Sequence, residues 1–217
     1  MPGSAQDTAG QTVMRDWLDS LAEYRAKGVL VLGPDPFAAN DNREVVAVYP
    51  PDFRSAGRAL AVSDAYGAHW RVNGGSLVAF KNLDGMGGEA WVTDCLGRGV
   101  LSVVRTEIPM PFGQGFECFV FAARQFSDRK EASALVWSAM SVWPLIKDVI
   151  VASHFGISPR EREILVAMAE GLTAKDAGKR LGCAERTVTF HLSNLMVKLK
   201  ADNRAAAIQR ACSLGLI

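Results

Sequence analysis

The stretch Ser158–Ile217, SPREREILVAMAEGLTAKDAGKRLGCAERTVTFHLSNLMVKLKADNRAAAIQRACSLGLI, decides the fold of the C-terminal part of the chain. Ser158-Pro159-Arg160-Glu161 predicts a capping box, with Pro at the first helical position and Glu161 reaching back to the cap. Ile164, Leu165 and Met168 form an apolar stripe behind it, and Gly171 stops the helix. Thr173 starts a second helix, with Asp176 in the reciprocal position, and Gly182 ends it. A third helix runs from about Glu185 to Leu199. A fourth starts at Asp202 or Asn203 and ends near Leu214-Gly215. Helices two and three are joined by a few residues that include Gly, which is helix-turn-helix geometry.

The helical wheel of the third helix separates two faces. Val188, Leu192, Leu195 and Leu199 recur at helical spacing and form the buried side. The opposite arc holds Arg186, Thr189, Phe190, Ser193 and Val197, with Lys200 below. Thr189 and Ser193 lie one turn apart, where hydroxyls can donate to or accept from base edges and the Thr methyl can meet a thymine methyl. Lys175, Arg186, Lys198 and Lys200 are the expected phosphate anchors. Thr187 and Asn194 complete the candidate DNA-binding set. Spacing alone leaves a helical hairpin with a solvated charged face equally open.

Residue order separates the two readings. Residues 158–217 resemble, without a gap, the DNA-binding domain of the LuxR family of transcription regulators. Within that family Thr187-Val188-Thr189-Phe190-His191, Lys198-Leu199, Asn203-Arg204 and the ending Leu214-Gly215-Leu216-Ile217 look most like the quorum-sensing branch. The resemblance implies that the third helix enters the major groove and that the fourth pairs two such domains. Ala205, Ile208, Ala211 and Cys212 are then the dimer-facing residues of the fourth helix, with Trp137 a further contact outside it. The implied partners are a palindromic promoter site in double-stranded DNA, a second copy of the chain, and RNA polymerase. Two positions depart from the family. Gly178 stands inside the second helix, at a cost of about 1 kcal/mol relative to Ala. Ala184 stands where a Ser usually caps the recognition helix, a loss of about 1 kcal/mol. Both suggest a looser module.

Charge agrees with a division of the chain. The net charge of the 217 residues is only +1, but from Ile157 onward ten bases face six acids, and the remainder is mildly acidic. The boundary is expected near Ser153–Ile157, giving a domain over 1–154 and a second over 155–217. Cys95, Cys118, Cys183 and Cys212 lie outside metal-ligand spacing of one another, and His69, His154 and His191 are scattered, so no metal site is expected. Four isolated thiols fit a reducing cytosol. The first residues, MPGSAQDTAGQ, carry no apolar core of a secretory signal. Ala132–Ile146 is uncharged but short for a membrane span, and reads as a buried or interface helix.

Residues 1–156 alternate helical and extended patterns. A helix through Val13, Met14, Trp17, Leu18 and Leu21 is expected to stop at Gly28. Strands are expected at Val29–Leu32, Val45–Tyr49, Val100–Arg105 and Phe116–Ala122. Trp70–Val72 and Leu77–Phe80 flank the turn signal Asn73-Gly74-Gly75. Helices are expected from Phe53 to about Ala65, over Glu89–Leu96, and from Asp128 to about Ser153. The fold class is therefore α+β. An α/β/α sandwich-like sensor domain with a mainly antiparallel sheet precedes an all-α four-helix helix-turn-helix domain.

Tyr49-Pro50-Pro51-Asp52-Phe53 resembles the Tyr-Pro-x-x-Trp segment of acyl-homoserine-lactone receptors, with Phe53 at the Trp position. Asp94–Val100 through Ile108-Pro109 resembles a later segment of the same domain. The lactone-binding Trp, Tyr and Asp of such receptors are not matched at their spacing: Phe53 has no N–H, and Gly57 stands one turn later. Phe53, Asp64, Tyr66, Trp70, Phe80 and Trp91 are the pocket candidates. Three readings of this domain stay open: a sensor of an acyl-homoserine lactone or a less polar or aromatic signal, a ligand-independent domain, or a dimerisation and interaction domain. The last two allow a second overall reading, an anti-activator that heterodimerises with another LuxR-type regulator. No phospho-acceptor arrangement follows the first strand. No nucleophile–base pair or phosphate-binding loop supports an enzyme, and no cofactor is implied. The protein is expected in the cytoplasm and off the membrane.

Overall fold

The structure, a computed structural model, describes residues 4–34, 43–62, 78–110 and 115–217. Their contacts divide the chain into two compact units. One comprises 1–109 with 113–146, the other 110–112 with 147–217.

The first unit is built on a five-stranded sheet: β1 Ala26–Pro34, β2 Arg43–Tyr49, β3 Val78–Asn82, β4 Ser102–Pro109 and β5 Gly115–Ala122. The strand order is β2-β1-β5-β4-β3, and every neighbouring pair is antiparallel. All eight residues of the central β5 are buried, so both faces of the sheet are covered. Helix α1 spans Ser4–Ser20, α2 Arg54–Ala61, α3 Ala90–Gly97 and α4 Arg129–Phe155. On one face Leu30, Leu32, Val103, Phe119 and Phe121 form a core with Phe53, Leu60, Trp91 and Cys95. Side chains alternate along a strand, so Phe116, Cys118 and Val120 point the other way. There Phe116 packs on Trp143 of α4, with ring centroids 4.9 Å apart. Trp17 of α1 donates its Nε1–H to the Ser138 hydroxyl of α4 at 3.2 Å.

Gly28 does not end the first helix. The chain leaves α1 through a 3-10 turn at Ala22–Tyr24 and a left-handed Arg25, and Gly28 lies inside β1 opposite Phe121. A side chain there would meet the Phe53 ring at 3.0 Å, so the glycine makes room for an aromatic ring laid over the strand. The helix after Tyr49-Pro50 opens with a 3-10 turn at Pro51–Phe53 before α2 begins. The expected strand at Trp70–Val72 and its turn lie outside the described residues. Helix α4, Arg129–Phe155, matches the expected helix from Asp128 to about Ser153. By length and composition it could cross a membrane, yet Ala132, Leu135, Val136, Ala139, Trp143 and Ile146 are buried within the protein.

The second unit holds α5 Pro159–Ala169, α6 Ala174–Leu181, α7 Glu185–Lys198 and α8 Arg204–Ser213. The expected punctuation is present. The Ser158–Glu161 capping box closes in both directions. Thr173 caps α6 by accepting from the Asp176 amide at 3.1 Å, and Asn203 caps α8 by accepting from Ala206 at 2.9 Å. Gly182 takes φ 65° at the end of α6, a left-handed geometry that suits glycine. Ile164, Leu165, Ala177, Val188, Leu195, Leu199 and Ala207 are fully buried and form the core.

Gly178 does not loosen this unit. A Cβ there would stand 2.7 Å from the Cys183 carbonyl oxygen and 3.3 Å from the Glu185 amide nitrogen. The glycine lets α6 press against the backbone of the turn that leads into α7, and the Cys183 amide donates to the Gly178 carbonyl at 2.9 Å.

Candidate functional site

The turn fixes how α7 is presented. Its inner side, Val188, Leu195 and Leu199, is buried, with Leu192 half-buried. Its outer side exposes Arg186, Thr189, Phe190, Ser193 and Val197, with Lys200 just beyond the helix. Phe190 is 62% and Val197 77% exposed, unusual for large apolar side chains, and they flank the two hydroxyl residues. Thr187 and Asn194 sit half-buried at the edges of this face.

The Thr189 hydroxyl donates to the Glu185 carbonyl at 3.1 Å, and the Ser193 hydroxyl to the Thr189 carbonyl at 3.0 Å. With its proton directed into the helix, each hydroxyl turns lone pairs outward. The exposed strip therefore offers two acceptors, one turn apart, beside the Phe190 ring.

The cations of this unit divide sharply. Arg160 pairs with Glu163 at 2.7 Å and caps α6 through the Leu181 carbonyl. Arg162 holds Asp148 and the Leu216 carbonyl. Arg180 pairs with Glu170, raising its own pKa and holding that carboxyl below its ordinary range. Arg204 donates to the Met168 and Leu172 carbonyls, and Arg210 to that of Leu199. Lys175 on α6 and Arg186 on α7 are exposed and make no ion pair among the described residues. The basic excess is thus largely committed inside the unit.

Lys198 departs from its expected place among the phosphate anchors. Its ammonium contacts both Glu161 oxygens, at 2.8 and 2.7 Å, and the Gly156 carbonyl at 2.7 Å. An ammonium has three protons, and all three are used.

The dimerisation candidates also divide. Ala205 is exposed, and Ile208 and Cys212 are half-buried; the three share one outward face of α8. Ala211 is fully buried with Ala207 on the opposite face, and is a core residue of its own domain. Trp137 is 67% exposed on α4 and continues along Met140, Ser141, Pro144 and Leu145. Spacings of three and four residues place these on one helical stripe.

Among the ligand candidates, Phe53 and Trp91 meet in the core between the sheet, α2 and α3. Phe53 stacks on Phe121 at 5.1 Å, with the Arg98 guanidinium 5.4 Å from its ring. Trp91 is 1% exposed, and its Nε1–H has no acceptor among the described residues. Phe80 is not with them. Its neighbour Ala79 packs on this core, so strand alternation turns Phe80 to the opposite face, where it meets Phe126 edge-on at 6.1 Å. Asp64, Tyr66 and Trp70 lie outside the described residues.

Sequence reasoning missed a buried ion cluster on the sheet. Glu117 of β5 is fully buried and pairs with Arg43 of β2 at 3.1 Å and with Arg105 of β4, which also reaches Glu107 at 3.2 Å. Burial pushes the Glu117 carboxyl up, to about 7, against the pull of Arg43. Strict alternation with Phe119 and Phe121 was the available signal: it places Glu117 on an inward-facing position of an apolar strand.

Residues 156–211 match the family model described as bacterial regulatory proteins, luxR family. The transcriptional activator protein SolR of Ralstonia nicotianae is 40% identical over 73 residues, covering 34% of this chain and 31% of SolR. The transcriptional activator protein LuxR of Aliivibrio fischeri is 45% identical over 65 residues, covering 30% of this chain and 26% of that protein. The chain thus matches about a third or less of the length of these relatives. A crystal structure of Escherichia coli SdiA aligns over 96% of this chain and 92% of its own, at 21% identity and a TM-score of 0.47. The four-helix unit, with its capped helices and the exposed outer face of α7, is the part of the chain that matches the luxR-family model.

Proposed function

We propose that this protein is a homodimeric, sequence-specific DNA-binding transcription regulator of the quorum-sensing type. Residues 155–217 read a palindromic promoter site, and residues 1–154 sense a small molecule and dimerise. The observation that carries the reading is the outer face of α7. Arg186, Thr189, Phe190 and Ser193 stand exposed on one helix, and Lys175 on α6 is exposed with no ion pair among the described residues, while most other cations of the unit are engaged internally. Thr189 and Ser193 read base edges, Phe190 supplies apolar contact to a thymine methyl, and Lys175 and Arg186 anchor phosphates. The outward faces of α8 (Ala205, Ile208, Cys212) and α4 (Trp137) supply contacts between copies.

A signal molecule is supported by Trp91. A buried indole N–H without an acceptor among the described residues costs stability, and a ligand carbonyl set against it removes that cost. An acyl-homoserine lactone or another amphipathic carbonyl compound has the required chemistry.

The test is DNA binding by purified protein across a salt series. The expected result is tight, salt-dependent binding to a two-fold symmetric site. Thr189→Ala or Ser193→Ala should relax the choice of sequence, and Lys175→Ala should weaken all sequences alike and flatten the salt slope. Absence of binding at low salt, with and without cell extract, rejects the proposal. Co-purification of a different regulator in place of a self-dimer would favour a heterodimeric anti-activator.

A further inference from the structure

We infer that Lys198 is a positioning residue: with Glu161 it fastens the far end of the recognition helix to the cap of α5, and it does not contact DNA. The inference rests on the DNA-binding reading above and deepens it. Glu161 is 3% exposed, and its carboxylate receives four hydrogen bonds from three donor groups. These are the Ser158 amide at 2.8 Å, the Ser158 hydroxyl at 2.9 Å and two contacts from the Lys198 ammonium. Three of the four fall on Oε2 and one on Oε1, so both carboxylate oxygens are engaged. The third ammonium contact goes to the Gly156 carbonyl, two residues before the cap. Burial raises the Glu161 carboxyl pKa, but the bonds from Lys198 and Ser158 outweigh it and hold the group below its ordinary range.

The consequence is mechanical. Lys198 closes α7, while Thr189 and Ser193 stand in its middle. Val188, Leu195 and Leu199 bury one side of the helix, and the turn at Gly178 and Cys183 fixes its start. The Lys198 knot ties the other end to the cap of α5, so the exposed strip is held from both ends. An ammonium with all protons engaged and its charge met by a buried carboxylate has nothing left for a phosphate. Recruiting it to DNA would strand Glu161 without a counter-charge.

The two roles predict opposite behaviour. If Lys198 positions the helix, Glu161→Gln and Lys198→Gln each weaken binding to all sequences, by at least about tenfold. The double variant is then little worse than either single one, and the salt slope is unchanged. If Lys198 touches a phosphate, Lys198→Gln flattens the slope by about one, while Glu161→Gln frees the ammonium and tightens binding. That second pattern overturns the inference. A measurement on the unaltered protein covers variants that fail to fold. Limited acetylation without DNA should modify Lys198 far more slowly than Lys175, and adding DNA should protect Lys175 alone. Equal rates, with Lys198 shielded by DNA, overturn the inference. If the unaltered protein binds no DNA, the wider reading fails, and the labelling still decides whether the knot exists.

Discussion

Glu117 in the sheet and Glu161 at the start of α5 are both almost fully buried, at 0% and 3% exposure, but they are held differently. Glu161 takes half of its partners from Ser158, three residues away, through a cap that the local sequence announces. Glu117 takes its partners from β2 and β4, strands that become its neighbours only when the sheet has formed. One unit starts its helices by local rules and then ties them together through Lys198, Arg160, Arg162 and Arg204. The other depends on distant pairing throughout, including its charges. The comparison teaches where each unit is vulnerable.

Removing the sheet's central charge should have the largest effect. Glu117→Ala removes the buried carboxylate that Arg43 and Arg105 share, and should cost on the order of 3–5 kcal/mol. All five tryptophans precede residue 147, so their fluorescence during urea unfolding reports the first unit alone. A loss under about 1 kcal/mol would show that the arginines find water or other partners, and that the cluster is not held from within.

The next test contrasts two glycines. Gly28 sits under a side chain, the Phe53 ring, which can shift. Gly178 sits under backbone, the Cys183 carbonyl, which cannot shift without opening the helix-turn-helix. By helix propensity alone, Gly178→Ala should stabilise α6 by about 1 kcal/mol. The contact reverses the sign, and a loss of about 1–3 kcal/mol is expected, read as a lower melting temperature by far-ultraviolet circular dichroism. A gain would restore the reading that this glycine merely loosens the helix.

Acid should separate the units. Glu161 is held below its ordinary 4.5, so its contribution is complete above that pH and is lost as pH falls through its folded value. Glu170 beside Arg180 acts in the same direction. Glu117 is raised to about 7, so the folded sheet holds that proton more tightly than the unfolded chain, and its contribution declines as pH rises from 4.5 toward 7. Moving from pH 7 to below 4.5 should therefore weaken the helical unit while these groups favour the sheet unit. Urea curves followed by tryptophan fluorescence and by amide signals of residues 158–217 would show it. Midpoints moving together would break the contrast.

Legibility in the sequence follows the same division. Ser158, Thr173, Gly182 and Asn203 act within a few residues of themselves, and all four helices of the second unit were readable. Most strands of the first unit were readable from apolar runs, but their order β2-β1-β5-β4-β3 was not, because register is set by pairs far apart in the chain. The errors have one origin, tertiary contact overriding local expectation. Gly28 admits Phe53, Gly178 admits a backbone turn, Lys198 turns inward to Glu161, and Ala211 faces its own core.

Ala184 offers the smallest effect and a clean check on that division. It is the N-cap of α7, extended at ψ 149°, and makes no side-chain cap bond, unlike Ser158, Thr173 and Asn203. The residue is exposed, so nothing crowds a hydroxyl placed there. Ala184→Ser supplies an acceptor for the Arg186 or Thr187 amide and should stabilise the second unit by about 1 kcal/mol, while Asn203→Ala should cost about as much. Both are local substitutions in the unit governed by local rules, so their effects should add in the double variant. If Ala184→Ser gives nothing while Asn203→Ala costs the expected amount, the start of α7 is set by the Gly178 contact across the turn. The helix-turn-helix would then depend on non-local packing as the sheet does.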